Sequence, residues 1–352
     1  MRALVLEEYG EPLRVEQRRR PSASPDGVVV EVAACGVCRS DWHAWRGHGE
    51  WADDRAPLGQ VLGHEPAGAV VEVGDRVEGL REGDRVTVPF NLGDGTCPQC
   101  RTGHGNVCED GWALGFEADA PGAFAEYVHV PAADHNVAPL PDGVPFSTAA
   151  ALGCRYMTAF HALSHRVDLG GGDRLAVFGC GGLGLSAVQL GRALGARVTA
   201  VDVREAALDA AAEVGAEATV NADEADDVPA AVREATGGGA HVTLDALGSG
   251  ETCRGGVESL RRRGTHLQAG LTGEAERGRI DLPTDAMART ERSFHGVRGM
   301  PPSRYPELLS MVESGVVDPG ELVRREVSLE AVPDRLAAMS DYATTGIEVA
   351  RP

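Results

Sequence analysis

The stretch Cys38-Arg39-Ser40-Asp41-Trp42-His43 holds a thiol, a guanidinium, a hydroxyl, a carboxylate and an imidazole, and two later positions, His64-Glu65 and Cys154, extend that set. Two thiolates and an imidazole make a soft three-ligand set with a fourth position open, the arrangement of a catalytic rather than a structural zinc. Such a metal would polarise a substrate oxygen. Two other readings compete with it. A lone cysteine is more often a small buried apolar residue, and Cys35 with Cys38 forms a C-x-x-C that could act as a redox pair. The hydroxyl, carboxylate and imidazole that follow Cys38, with Gly63-His64-Glu65 soon after, favour the ligand reading.

A second group of sulfur ligands follows at Cys97-x-x-Cys100 and Cys108. In a reducing compartment eight cysteines read as ligands or reactive thiols rather than as disulfides.

A third chemistry lies at Gly179-Cys180-Gly181-Gly182-Leu183-Gly184. A lone G-x-G-x-x-G is weak evidence, but this one leaves an apolar run, Arg174 to Phe178, and opens a helical pattern. Leu183, Ala187, Leu190 and Leu194 fall on one face of that helix and Gly195 stops it. The next predicted strand, Arg197 to Val201, ends at Asp202. An acid there binds the adenosine ribose hydroxyls and would repel the 2′-phosphate of NADP, so NAD is expected; Arg204 leaves NADP open as the second choice.

The elements that position these groups fall into two patterns. From residue 1 to about 150 the chain is strand-rich: Arg2 to Leu6, Val28 to Ala34, Ala67 to Val73, Arg85 to Val88 and Phe124 to Val130, punctuated by Gly and Pro turns. That predicts an irregular, mostly antiparallel barrel or sandwich. After Cys154 strands and helices alternate, with further strands at His241 to Asp245 and Gly264 to Gly270 and a helix at Val228 to Ala235, which predicts a doubly wound parallel sheet in an α/β fold. Residues 301 to 352 return to mixed structure after Pro301-Pro302, with a helix at Tyr305 to Glu313.

Composition narrows the partners. At 352 residues and 43% hydrophobic content, two buried cores are expected. All 33 basic residues are Arg, and against 53 acids they give a net charge of -20. That charge argues against nucleic acid and anionic membranes as partners. It raises the expectation of a salty cytoplasm, with a GC-rich genome as the alternative source of Arg in place of Lys. No leader-like start and no apolar run of membrane-spanning length is present, so a cytoplasmic protein is expected.

Gly36-Val37-Cys38-Arg39-Ser40-Asp41, Gly63-His64-Glu65-Pro66-Ala67-Gly68 and Gly153-Cys154 resemble the zinc-dependent medium-chain alcohol dehydrogenases, with the glycine turn and cysteine lobe in the same order. The resemblance implies a GroES-like catalytic domain of residues 1–155 and 301–352 around a Rossmann NAD-binding domain of residues 156–300. It implies zinc on Cys38, His64 and Cys154, with Asp41 behind His64 and Glu65 as an acid able to approach the metal. Ser40 would take the alcohol proton and pass it through the cofactor ribose to His43, Arg39 would bind the cofactor pyrophosphate, and Phe90 would wall the substrate pocket. Trp42, Trp45 and Trp51 would line that pocket or an interface. The structural-zinc register falls on Asp94, Cys97, Cys100 and Cys108, with an aspartate first and His104 as an alternative fourth ligand. Around the cofactor the resemblance adds Thr158, Leu247, Ala269, Gly270 and Leu271 to the glycine turn, Asp202 and Arg204. Gly346-Ile347 lacks the basic residue that many relatives carry there. The activity implied is reversible hydride transfer between an alcohol and NAD by a homodimer or homotetramer; a polyol or sugar is the alternative substrate. A zinc redox sensor or a noncatalytic dinucleotide-binding scaffold are the readings from other classes.

Overall fold

Short runs of Val and Ala with Gly or Pro between them become the strands of the first unit, and the longest, Val28–Val37, is buried along nearly its whole length. The structure is a computed structural model that describes residues 1–49 and 55–352, so Trp51 lies outside the described residues. It separates into one unit of Met1–Met157 with Gly299–Pro352 and another of Thr158–Arg298.

In the first unit Val28–Val37 is central. It pairs antiparallel with Pro66–Val73 and with Ile347–Arg351, and its first residues also pair with Tyr127–Val130. The ladder continues from Pro66–Val73 to Arg85–Thr87 and Ala138–Pro139, and from Ile347–Arg351 to Val323–Ser328, the last pair being parallel. Register shifts at Val29/Val30 and Val32/Ala34 bend the central strand. The bent strand delivers the chain to Cys38, which caps the helix Arg39–Trp45. One expected strand is shorter than the pattern suggested: Phe124 to Glu126 precede the ladder, which begins at Tyr127. Phe124 donates its N–H to Leu62 O and Ala123 donates to Gly63 O, so these backbone groups are satisfied by the loop that carries His64.

In the second unit the six parallel strands are ordered Ala218–Asn221, Arg197–Asp202, Arg174–Phe178, Ala240–Asp245, Leu260–Gln268 and Ser293–Gly296. Counted along the chain this is 3-2-1-4-5-6, the doubly wound order of a Rossmann fold. The helix after the glycine turn, Gly182–Ala193, differs from the expected single face. Leu185, Ala187, Val188 and Leu190 are buried while Leu183 and Leu194 are only half-buried. The helix packs on Arg174–Phe178, Arg197–Asp202 and the helix Glu205–Glu213, so it is covered on more than one side. Gly195, at φ 88°, ends it in the left-handed conformation that suits glycine. The strand expected from Gly264 begins at Leu260, and its first residues Arg261 to Arg263 are exposed.

Candidate active site

Cys38 sits at the end of the central strand, His64 in the loop after Gln60–Val61, and Cys154 on a widened π-helical turn, Leu152–Tyr156. The ligand atoms of Cys38, His64, Cys154 and Glu65 all lie within 4.8 Å of one another. The imidazole of His64 is fully buried, and its Nε2 has no hydrogen-bond partner among the described residues. A buried ring nitrogen facing two thiols with nothing to bond is costly unless something else occupies the gap. Two sulfurs and one imidazole nitrogen are the donor set that zinc takes when one position stays open, so these residues fit the metal.

The surroundings hold the ligands in place. Asp41 is fully buried, and three donors converge on it: His64 Nδ1 at 2.8 Å and Gly63 N at 3.1 Å on Oδ1, and Cys38 N at 3.0 Å on Oδ2. With Nδ1 committed to the carboxylate, Nε2 is the atom presented to a metal. Gly63 takes φ 94°, and a Cβ there would stand 2.5 Å from Phe124 N, so only glycine fits that turn. A hydrogen bond from Cys154 holds the Cys38 thiol well below its ordinary range against the opposing effect of burial, and Cys154, the donor, is pushed up. Burial opposes charge on His64, yet the Asp41 carboxylate and Cys38 hold its pKa well above the usual value.

Glu65, expected as an acid able to approach the metal, is engaged elsewhere in this state. Its Oε1 accepts from Cys154 N at 3.0 Å and from Arg155 Nε at 3.1 Å, and Oε2 accepts from Arg155 Nη2. Burial is the main cause of its raised pKa, and Arg155 opposes that rise. A Cβ on Gly36 would stand 2.1 Å from Glu65 Oε2 and one on Gly153 2.7 Å from Glu65 Cα, so Gly36 makes room for the carboxylate and Gly153 for the stem of the same residue. Arg155 follows Cys154 directly, and nothing in the local sequence pattern marked it.

Ser40 Oγ lies 3.9 Å from Cys38 Sγ. His43 Nδ1 lies 2.9 Å from Nδ1 of His48, a histidine that sequence reasoning did not single out. Burial, then the neighbouring His48 and Arg39, lowers the His43 pKa to about 4, so its ring is neutral at pH 7. The Arg39 guanidinium is stacked between the rings of Trp42 and Tyr342 at 4.2 Å from each, and its Nη1 donates to Met339 O. Trp42 Nε1 donates to Ser340 Oγ, and Trp45 is buried in the core with Nε1 on Glu11 O. Phe90 stands edge-on to His64 with ring centres 5.9 Å apart, and Phe116, which the sequence did not flag, is closer at 4.9 Å. Cys35 lies outside the cluster and is unbridged; its thiol donates to Gly36 O.

The ligand atoms of Asp94, Cys97, Cys100 and Cys108 also gather within 4.8 Å. Cys97 caps the short helix Pro98–Arg101 and its Sγ accepts from Cys100 N, while Cys97 and Cys108 sulfurs stand 3.6 Å apart. Asp94 Oδ1 accepts from Thr96 N, Cys97 N and the Cys108 thiol, and Oδ2 from the Thr96 hydroxyl, which hold its carboxyl far below the usual range. Three sulfurs and an ionised carboxylate oxygen suit a four-coordinate zinc. His104 does not join them; its Nδ1 pairs with Thr102 Oγ1.

In the second unit the glycine turn joins Arg174–Phe178 to Gly182–Ala193. Gly179 is left-handed at φ 87°, and a Cβ on Gly184 would stand 1.8 Å from Gly179 O, so both glycines are needed by the turn itself. Around Gly181 a Cβ would meet nothing within 4 Å, so the chain's own packing does not ask for glycine there and the open face suits close approach by a ligand. Asp202 Oδ2 accepts from Cys180 N at 2.7 Å and Oδ1 from Arg204 N at 2.9 Å, with Arg204 Nε at 3.6 Å. Each oxygen retains a lone pair for a ribose hydroxyl. Leu247 N donates to Asp245 Oδ1, Ala269 N and Gly270 N donate to Asp245 O, and a Cβ on Gly270 would meet Gly248 N at 2.3 Å, so the two strand ends touch through bare backbone. Leu271 is exposed, and Thr158 is buried in the helix Met157–His161. These residues fit a dinucleotide.

The family model for the alcohol dehydrogenase GroES-like domain matches residues 24–142, and that for the zinc-binding dehydrogenase domain matches residues 182–314. An NAD-dependent alcohol dehydrogenase of Sulfurisphaera tokodaii is 34% identical over the full length of both chains. The chain belongs to the zinc-dependent medium-chain dehydrogenase family. An alcohol dehydrogenase of Geobacillus stearothermophilus is 36% identical to this medium-chain dehydrogenase over 78% of its chain and 79% of the relative. Among solved structures, alcohol dehydrogenase TADH from Thermus sp. ATN1 shares the fold at a TM-score of 0.90 and 28% identity, over 100% of this dehydrogenase and 99% of that chain. Both domains of the fold, GroES-like and Rossmann, are those of the family.

Proposed function

We propose that the chain is a zinc- and NAD-dependent alcohol dehydrogenase that reversibly converts an alcohol to an aldehyde or ketone. The observation that carries this reading is the buried His64 Nε2, without a partner among the described residues and gathered with two thiols. When bound, zinc supplies a Lewis acid that favours loss of the alcohol proton, and NAD supplies the carbon that takes the hydride. Cys38, His64 and Cys154 hold the metal, and Asp41 fixes the tautomer of His64. Ser40 Oγ accepts a hydrogen bond from the substrate hydroxyl and, as it takes that proton, releases its own toward His43. His43, neutral at pH 7, relays a proton rather than storing it, with His48 Nδ1 2.9 Å away as the next carrier. Arg39, held between two rings, offers an oriented fork of donors to a pyrophosphate, while Gly181, Asp202 and their neighbours in the glycine turn receive the dinucleotide. Asp94, Cys97, Cys100 and Cys108 hold a second, structural zinc.

Purified protein loaded with zinc and supplied with NAD should form NADH on addition of primary, secondary or polyol substrates, and Cys154→Ala should abolish this. No alcohol-dependent NADH formation from any of them would overturn the reading.

Three further properties belong to the same proposal. The enzyme is cytoplasmic; among the described residues no helix is long and apolar enough to cross a membrane. It associates as a dimer or tetramer: from Leu271 to Arg298 no residue is buried, although the stretch includes the helix Thr284–Thr290 and the sheet-edge strand Ser293–Gly296, which supports coverage by another copy. It works in high salt, as the charge of -20 without a single Lys supports.

A further inference from the structure

A histidine outside every role described above stands beside the cysteine lobe. His135 lies in the short helix Ala133–Asn136, and its Nε2 is buried with no hydrogen-bond partner among the described residues. A Cβ on Gly93 would stand 2.7 Å from that nitrogen and 3.0 Å from Cys100 Sγ. One on Gly105 would stand 2.6 Å from the same nitrogen. Neither glycine has a positive φ, so backbone conformation does not account for them. What both provide is space, and the space admits the edge of one imidazole to the flank of the lobe. Gly93 immediately precedes Asp94, and Gly105 lies between Cys100 and Cys108.

The ring is delivered there by fixed contacts. Asn136 Oδ1 accepts from Gly93 N at 2.8 Å, and its Nδ2 donates to Gly93 O at 2.9 Å. On the other side Asp134 accepts from Glu78 N and Gly79 N. Residues 134 and 136 thus anchor the helix on either side of His135, and the Gly93 backbone that Asn136 grips is the one whose Cβ position both His135 Nε2 and Cys100 Sγ approach to within 3.0 Å. His135 is not one of the four clustered ligands, since Asp94 fills that set. A neutral imidazole with its hydrogen on Nε2 is a donor, and a thiolate bound to a metal keeps lone pairs able to accept.

We propose that His135 is the positioning residue of the lobe's metal site, its Nε2–H donating to the Cys100 thiolate and so orienting that sulfur and slowing loss of the metal. This role rests on the reading of Asp94, Cys97, Cys100 and Cys108 as a metal site. It concerns how long that metal stays and takes no part in the reaction at Cys38, His64 and Cys154.

Cobalt(II)-substituted protein tests it without reference to activity. The readouts are the thiolate-to-cobalt charge-transfer band of the lobe and the rate at which its metal passes to a chromophoric chelator, the lobe phase being the one that Cys108→Ser removes. His135→Ala should shift the band and speed transfer about 10- to 100-fold, the usual cost of removing an outer hydrogen bond to a metal ligand. His135→Phe, which fills the space without an N–H, should behave like His135→Ala. His135→Gln, whose amide N–H can take the place of the imidazole N–H, should recover most of both readouts. If Cys108→Ser removes no phase that the wild-type chain shows, the metal reading of the lobe is overturned and this role with it. A lobe that loads normally and gives the same band and transfer rate in wild type, His135→Ala and His135→Phe overturns the role of His135 alone. The same is true if His135→Gln is displaced as far as His135→Ala.

Discussion

Asp41→Asn changes neither volume nor shape, yet it should loosen both the fold and the metal. Three donors meet the carboxylate, two on Oδ1 and one on Oδ2. An amide has one oxygen. Placed at the Oδ1 position it keeps Gly63 N and His64 Nδ1 but turns its NH2 toward Cys38 N, which is then a buried donor facing a donor. Placed the other way it saves Cys38 N and loses two. The first arrangement is cheaper, and it leaves one buried N–H unsatisfied at a cost of about 1–3 kcal/mol, with the other two bonds weakened from charged to neutral acceptors. Together these come to about 3 kcal/mol. Urea unfolding of chelated protein should show that loss as a lower midpoint at unchanged slope. Because the lost bond is on the backbone of one ligand and a weakened one on the ring of another, zinc affinity should fall about 10- to 100-fold in chelator competition. A loss below about 1 kcal/mol, together with unaltered zinc affinity, would refute the claim that these three bonds hold the ligands in register.

Arg155→Met removes the guanidinium from a fully buried Glu65 and should destabilise the chain by about 3–5 kcal/mol, whereas Arg155→Met with Glu65→Met should recover much of the loss in a double-mutant cycle; additive losses would mean that the pair is not coupled. His43 has a depressed folded-state pKa of about 4, so between that value and its ordinary 6.5 the unfolded chain binds more protons than the folded one. Its contribution is therefore present at neutral pH and lost as pH falls through that window, and His43→Asn should flatten the slope of unfolding free energy there; an unchanged slope would contradict the burial of a neutral ring. Gly184→Ala should destabilise the second unit, because its Cβ would stand 1.8 Å from Gly179 O, while Gly181→Ala should leave thermal stability intact and weaken NAD binding in titration calorimetry. Equal effects on stability would be against the separation of packing and ligand roles in this turn. Removal of salt should reduce stability monotonically if repulsion from a charge of -20 is what salt screens, and a flat salt titration would refute that.

Elements whose signal is local are legible in the amino-acid sequence. The strand Arg174–Phe178, the helix Val228–Ala235 and the helix Tyr305–Glu313 have the bounds that their apolar runs and flanking Gly or Pro suggest. Legibility ends where a partner distant in sequence decides the outcome. Phe124 reads as the start of a strand, but its N–H is taken by Leu62. Leu183 and Leu194 continue a helical stripe, but burial goes to Leu185 and Val188 as well, because the helix is covered by strands and by a second helix. The ligand types at Cys38, His64 and Cys154 are visible, whereas Arg155, Phe116, His48 and His135 carry no local pattern that ties them to a site.

The glycines show why those four are hidden. At Gly36 and Gly153 it is Glu65, with its Arg155 partner, that occupies the space a Cβ would fill, and at Gly93 and Gly105 it is first of all the His135 ring. In sequence each is a glycine without a turn to justify it, and none has a positive φ. Conformation explains Gly63, Gly179 and Gly195, of which the sequence pattern marked Gly179 as a turn and Gly195 as a helix stop. These four glycines, in ordinary backbone conformation, carry different information: a polar side chain from elsewhere in the chain lies against each. At Gly36 and Gly153 that side chain is the buried acid behind the ligand Cys154, and at Gly93 and Gly105 it is the imidazole beside Cys100. Both metal-ligand clusters of the first unit are therefore bordered by space that glycine keeps open for a charged or polar group. Replacing Gly36 or Gly93 by Ala should lower metal affinity in chelator competition before it disturbs the sheet, because the displaced atoms belong to a ligand, Cys100, or to the ligands' neighbours and not to the strand ladder.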